Sequence, residues 1–95
     1  MAILQPIIDL VEICALHGVK QAILCPGSRS AALTLAFARN PSIQCYSIAD
    51  ERSAGYMAIG MSLASKMPTA IICTSGTAAY NFAPAVAEAF FQEIP

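Results

Sequence analysis

The sequence predicts an α/β fold, a three-layer α/β/α arrangement around a parallel sheet. Three observations carry that prediction. Segments of helical periodicity alternate with short β-branched apolar runs, the pattern of a parallel sheet covered on both faces. The apolar runs begin near residues 19, 43 and 69, a spacing that leaves room for a right-handed crossover helix each time. Finally, 57% of the 95 residues are apolar and 12% are charged. Soluble domains average roughly 25% charged residues, so this composition excludes a disordered chain.

Each element follows from local chemistry. Residues 4 to 17 read as a helix, with Leu4, Ile8, Val11 and Ala15 on one face and Gln5, Asp9 and Glu12 largely off it. Gly18 ends that helix, with His17 in its last turn. Val19 to Cys25 reads as a strand closed by Pro26-Gly27, and Ala31 to Arg39 as a second helix stopped by Asn40-Pro41. Ile43 to Ile48 is the second strand and Ser53 to Lys66 the third helix. Thr69 to Thr74 is the third strand and Ala78 to Glu93 the fourth helix. A fourth strand is expected where the sequence reaches Glu93-Ile94-Pro95. Residues 1–95 therefore read as the front piece of a doubly wound domain.

The charge balance excludes several partners. A net charge of −1 and a pI near 5.6 leave no basic footprint for nucleic acid. Lys20, Arg29, Arg39, Arg52 and Lys66 are scattered, which argues against an anionic membrane surface. A domain of this size buries only about 65% of its unfolded surface. Five cationic and six acidic side chains are few to keep the remainder wet, so much of the surface is expected to meet more protein.

Cys14, Cys25, Cys45 and Cys73 show no C-x-x-C pair and no zinc-finger spacing. Each lies in an apolar run, as a reduced structural thiol of a cytosolic protein does. No export signal opens the sequence, because Asp9 and Glu12 interrupt the first apolar stretch. The mean hydropathy of +0.62 raises the question of a membrane span across the uncharged residues 67 to 87. That stretch holds Pro68, Thr74, Ser75, Gly76, Thr77, Asn81 and Pro84, a polar knot that lipid does not tolerate. It reads as strand, turn and helix, with no transmembrane segment.

In a parallel sheet the loops leaving the carboxyl ends of the strands share one edge, where open α/β sheets bind ligands. Those loops are Pro26-Gly27-Ser28-Arg29-Ser30, Asp50-Glu51-Arg52-Ser53 and Ser75-Gly76-Thr77. Composition alone leaves open whether they are polar for a ligand or because they are loops. Gly27 to Ser30 enters a helix N-terminus, which favours an anion, and Arg29 adds a fork suited to carboxylate or phosphate. The plainer reading makes Ser30 an N-cap and Arg29 a solvated side chain. This loop is neither a Walker A sequence nor a dinucleotide Gly-x-Gly-x-x-Gly.

Of the adjacent acids Asp50 and Glu51, one is accounted for by the helix dipole. The other reads as a carboxyl of raised pKa in a partly apolar cleft, suited to hold or pass a proton. Metal ligation and a Ser–His hydrolase both fail, because the only histidine is His17 at a helix end. Gly76 lets a planar ligand approach the backbone, unless Ser75 to Thr77 is a plain turn with Thr77 as N-cap.

Together, Leu-Cys-Pro-Gly-Ser-Arg-Ser (24 to 30), Asp-Glu-Arg-Ser-Ala-Gly (50 to 55) and Thr-Ser-Gly-Thr-Ala (74 to 78) closely resemble the N-terminal part of a known family. It is the 2-succinyl-5-enolpyruvyl-6-hydroxy-3-cyclohexene-1-carboxylate synthases, thiamine-diphosphate enzymes of menaquinone biosynthesis. The likeness covers essentially all 95 residues, with Ala32 standing where relatives often carry proline.

The resemblance implies the first part of a pyrimidine-binding (Pyr-type) domain. It implies a transferase that decarboxylates 2-oxoglutarate on thiamine diphosphate and adds the succinyl unit to isochorismate. Glu51 matches the glutamate that hydrogen-bonds N1′ of the cofactor's aminopyrimidine, the catalytic and cofactor-binding position. Ser28 and Arg29 match residues that contact the anionic substrate, and Gly76 and Thr77 match the turn beside the pyrimidine. Mg²⁺ and its ligands are implied outside these residues, with a cytoplasmic homodimer whose active site forms between subunits. A 95-residue piece is then expected to be inactive alone. A flavodoxin-like module gripping a phosphate at Gly27 to Ser30, or a structural relative with Glu51 as a surface acid, is the alternative.

Overall fold

In the computed structural model, which describes residues 4–95, the first strand of the sequence occupies the middle of the sheet. Helices and strands alternate as α1 Gln5–Leu16, β1 Gln21–Leu24, α2 Ala31–Arg39, β2 Gln44–Ser47, α3 Glu51–Ser65, β3 Thr69–Ile72 and α4 Ala83–Phe91. The strand order is β2-β1-β3 with both pairings parallel. Ala22 stands opposite Cys45 on one side and Ala70 on the other.

The period-2 alternation of β1 divides the core into two layers. Ala22 and Leu24 face Val11 and Ala15 of α1 and Ala36 and Phe37 of α2, with Ile43 and Ile72 completing the layer. Ile23 and Cys25 face the opposite way, onto Ala54 and Ala58 of α3 and onto Phe82. This is the expected three-layer α/β/α architecture with a parallel sheet. One strand departs from the expectation of burial on both faces: in β2, Gln44, Tyr46 and Ser47 are exposed. An edge strand loses cover on its open side, and its two polar ends suit that place.

Element ends follow recognisable chemistry. Gly18, at φ +96°, closes α1 in a Schellman pattern, with its amide donating to Ala15 O and that of Val19 to Cys14 O. The buried stripe of α1 is Ile7, Val11, Cys14 and Ala15, whereas Leu4 and Ile8 lie exposed. This corrects the expected face of Leu4, Ile8, Val11 and Ala15. The helix is apolar almost all round, so hydrophobicity alone does not fix its rotation.

The last helix also differs from the continuous span expected over 78–93. Gly76–Phe82 winds as a 3₁₀ segment and the α-helix starts only at Ala83. Pro84 is the cause: its ring would collide with the carbonyl four residues back in a continuous α-helix, and it is tolerated only in a first turn.

Away from the loop edge, polar side chains tie the layers. Gln21 Nε2 donates to Ser65 Oγ at 3.0 Å and to Thr69 Oγ1 at 2.8 Å, while the Ser62 and Thr69 hydroxyls share a bond at 2.8 Å. Across the sheet, Asn40 Nδ2 donates to Glu12 Oε1 at 2.8 Å and its Oδ1 accepts from the Ser42 amide at 2.9 Å. Among the described residues, no helix is long and apolar enough to cross a membrane.

Candidate functional site

All three polar loops leave the carboxyl ends of the strands on one edge, as parallel pairing requires. The loop after β1 is pinned on two sides. The Cys25 amide donates to Ile72 O at 2.8 Å, extending the β1–β3 pairing beyond the strands. The Ser30 amide and hydroxyl both donate to Gly27 O, at 3.2 and 3.1 Å. Ser30 therefore does not act as the expected N-cap acceptor, and α2 starts with no side-chain cap. The first amide of α2, that of Ala31, donates to Ser28 O in the 3₁₀ turn that precedes the helix. Ser28 and Arg29 are exposed on that turn.

The adjacent acids after β2 separate into two roles. Asp50 is the N-cap of α3, accepting from the Ser53 amide at 3.0 Å and the Ser53 hydroxyl at 2.7 Å. Those bonds, the hydroxyl's foremost, hold the Asp50 carboxyl below its ordinary value. Glu51 is half-buried in the first helical turn.

Glu51's charge reaches the tips of the other two strands. The Cys25 thiol is pushed up to about 11, first by burial and then by the Glu51 carboxylate. Cys73 is raised by burial and then by Glu51 as well. Glu51 thus acts on the thiols that follow β1 and β3, and Asp50 adds to its effect on Cys25. Both thiols stay protonated at neutral pH, which removes them as nucleophiles. All four cysteines are free.

The loop after β3 is the most open. Ser75, Gly76 and Thr77 are exposed. Gly76 sits at φ +82° with nothing within 4 Å of the place a Cβ would take, so bare backbone faces open space. Thr77 lies inside the 3₁₀ segment, and the cap position falls to Ser75, whose side chain makes no cap bond. The structure thus gathers Ser28, Arg29, Glu51, Gly76 and Thr77 on one edge of the sheet.

Sequence reasoning missed one residue there. An open cleft of about 530 Å³ is lined by Pro26, Gly27, Ser28, Ala31, Thr34 and Leu35, a volume within the range of small-molecule sites. Thr34 Oγ1 is buried with no hydrogen-bond partner among the described residues. A lone hydroxyl among the otherwise apolar residues 31–38 was the available signal. A second, tighter hollow of about 80 Å³ between α3 and α4 is lined mainly by apolar residues such as Ala58, Ile59, Ile71 and Val86. It lies away from the loop edge and offers no comparable chemistry. Among the described residues, no group of three His, Cys, Asp or Glu side chains is placed to hold a metal ion.

Comparison with known proteins agrees with this geometry. The family model described as "Thiamine pyrophosphate enzyme, N-terminal TPP binding domain" matches residues 9–95. The chain is 51% identical over 87 residues to a 2-succinyl-5-enolpyruvyl-6-hydroxy-3-cyclohexene-1-carboxylate synthase of Flavobacterium johnsoniae, covering 92% of this chain and 16% of that protein. Proteins of the same name from Cytophaga hutchinsonii and Phocaeicola vulgatus are 50% and 52% identical. These matches cover 97% and 94% of this chain, and 16% of each relative. The chain spans about a sixth of the length of the curated relatives it matches.

Proposed function

This chain belongs to the thiamine pyrophosphate enzyme family, as its N-terminal TPP-binding domain, and from that premise we propose that it is the first portion of the pyrimidine-binding domain of a 2-succinyl-5-enolpyruvyl-6-hydroxy-3-cyclohexene-1-carboxylate synthase. The reaction is a decarboxylating transfer: 2-oxoglutarate loses CO₂ and its succinyl unit joins isochorismate. One observation carries the assignment of roles. The parallel sheet brings Glu51, half-buried in the first turn of a helix that Asp50 caps, to the same edge as the open backbone of Gly76.

The residues present fit the pyrimidine half of thiamine diphosphate. Gly76 admits a flat ring against the backbone with Thr77 at its border, and Glu51 is spared from capping by Asp50. When bound, the cofactor supplies the electron sink for decarboxylation of a 2-oxo acid. Glu51 would share a proton with N1′ of the aminopyrimidine and would be the catalytic group of this chain. Ser28 and Arg29 take the substrate carboxylate, Arg29 by a two-pronged charge-assisted contact. Mg²⁺ and the diphosphate are held by residues outside this chain.

The synthase is a cytoplasmic homo-oligomer in this reading. Its apolar exterior supports the assembly: Leu10, Ile13 and Leu16 on α1, and Tyr80, Val86, Phe90 and Phe91 around α4, are exposed. Side chains of that size gathered in patches mark surfaces that meet protein. A flavodoxin-like anion-binding module finds no support, because residues 9–95 match the thiamine-dependent family.

The test is Glu51→Gln in the full-length enzyme. The amide keeps the shape but cannot relay a proton, so kcat should fall by about 10²–10⁴. Retention of activity within a few-fold would make Glu51 structural.

A further inference from the structure

Gly27 and Thr74 meet where the first and third loops of the site begin. Gly27 is extended, at φ −166° and ψ 150°, a conformation open to any residue, so backbone freedom is not what requires glycine there. Space is. A methyl group placed on Gly27 would stand 2.6 Å from Cβ of Thr74, 3.0 Å from its Cγ2 and 3.1 Å from its Oγ1. The closest atom is Thr74 Cβ itself, which no rotamer change can move aside, and a β-branched side chain is stiff in any case. On its other side the Gly27 carbonyl is held by the amide and hydroxyl of Ser30. Thr74 is also the residue from which Ser75-Gly76-Thr77 departs.

We propose that Thr74 is a positioning residue: its side chain seats the Cα of Gly27 and so fixes where Ser28 and Arg29 stand relative to the turn at Gly76 and Thr77. The substrate loop and the cofactor turn are then one rigid unit. Neither Gly27 nor Thr74 need touch a ligand for this. A displacement of Thr74 moves the anion-binding loop, and an enlargement of Gly27 pushes the two loops apart. Shifts near 1 Å at such a site cost rates of about 10²-fold, so the seat bears on how the acidic substrate is presented. This inference rests on the roles proposed above for the two loops.

The experiment uses the full-length enzyme and a size exchange. Gly27→Ala should raise KM for the acidic substrate at least about tenfold, with thiamine diphosphate Kd, read by calorimetry, moving much less. Adding Thr74→Gly, which removes the obstructing Cβ, should return KM to within a few-fold of wild type. Adding Thr74→Ser instead should not, because its Cβ remains. An unchanged KM in Gly27→Ala, a loss that Thr74→Gly leaves unrestored, or a rescue by Thr74→Ser would each overturn the seat. Where Gly27→Ala does not fold, Thr74→Gly alone decides: a raised KM with intact cofactor affinity supports the seat, and an unchanged KM overturns it.

Failure of the functional reading is distinguishable. A wild-type enzyme that neither binds thiamine diphosphate nor turns over would remove the proposed reaction. Hydrogen exchange would still judge the contact. Faster exchange of the Ser30 amide in Gly27→Ala, reversed by Thr74→Gly, supports it; an exchange rate indifferent to both substitutions overturns it.

Discussion

Ser53 donates twice to Asp50, through its amide at 3.0 Å and its hydroxyl at 2.7 Å, and so closes the first turn of α3 without help from Glu51. Of two neighbouring acids of one charge and nearly one shape, one is thereby committed to capping and the other is not. The cap satisfies an orphan amide and places a negative charge at the positive end of the helix. Glu51 is left to the site.

The cap makes a prediction about acid. Its bonds hold the Asp50 carboxyl below the ordinary value of 3.8. A group depressed in the folded state stabilises above its unfolded pKa and loses that contribution as pH falls through the folded value. Asp50→Asn keeps an acceptor and loses the titration. Between neutral pH and about pH 3 the wild type should therefore lose more thermal stability than Asp50→Asn, a difference that melting curves at the two pH values measure. Equal losses would mean that the cap carries no charge-dependent stability.

Two glycines of one helix should respond oppositely to the same change. Gly60 has nothing within 4 Å of the Cβ position, so Gly60→Ala should stabilise by about 0.5–1 kcal/mol through helix propensity alone. At Gly55 the added carbon would stand 2.8 Å from Cβ of Ala85. Overpacking of about 1–3 kcal/mol then outweighs the propensity gain, and Gly55→Ala should destabilise. Ala85→Gly in the same protein should recover part of the loss. Urea unfolding of the variants reads both signs.

The Gln21, Ser62, Ser65 and Thr69 cluster should behave as a satisfied network. Thr69→Val strips the partner from the Ser62 hydroxyl, a residue only 3% exposed, and should cost about 1–3 kcal/mol. Thr69→Ser should cost less, because the hydroxyl stays. Adding Ser62→Ala to Thr69→Val should not add a second full penalty, since the Ser62 hydroxyl is then no longer left stranded. A double-mutant cycle in denaturant supplies the coupling energy.

The role proposed for Arg29 separates substrate binding from cofactor chemistry. Loss of its charge-assisted bond, worth roughly 1.5–3 kcal/mol, predicts a fall in kcat/KM of about 10- to 150-fold for one acidic substrate in Arg29→Ala, at 1.4 kcal/mol per decade. Arg29→Lys should recover only part, because an ammonium lacks the fork. Thiamine diphosphate affinity should barely move. Steady-state kinetics with each substrate varied in turn decide the matter, and unchanged constants for both would take Arg29 out of the site.

Punctuation is what the sequence reveals best. Gly18, Pro26-Gly27 and Asn40-Pro41 act through their own backbone chemistry, so the stops they impose are legible one residue at a time. The parallel edge that gathers Ser28, Arg29, Glu51, Gly76 and Thr77 follows from alternation alone. Rotation of α1 is not legible, because Leu10, Ile13 and Leu16 are as apolar as the residues that the core takes. The roles of Asp50 and Glu51 depend on which carboxylate meets Ser53, a matter of backbone geometry that composition does not encode. Thr74 meets Gly27 from the loop that follows another strand, and neither residue carries a local sign of the other.

The middle position of β1 has a temporal consequence. A strand bonded on both sides and buried on both faces opens only when much of the domain opens with it, whereas an edge strand opens by smaller fluctuations. The amides of Gln21–Leu24 should therefore exchange with solvent more slowly than those of the wet edge Gln44–Ser47. Arg29 follows the slow strand and Glu51 follows the fast one. The residue proposed to bind the anion is thus anchored to the strand expected to persist longest, and the acid proposed to carry the proton to a strand expected to yield sooner.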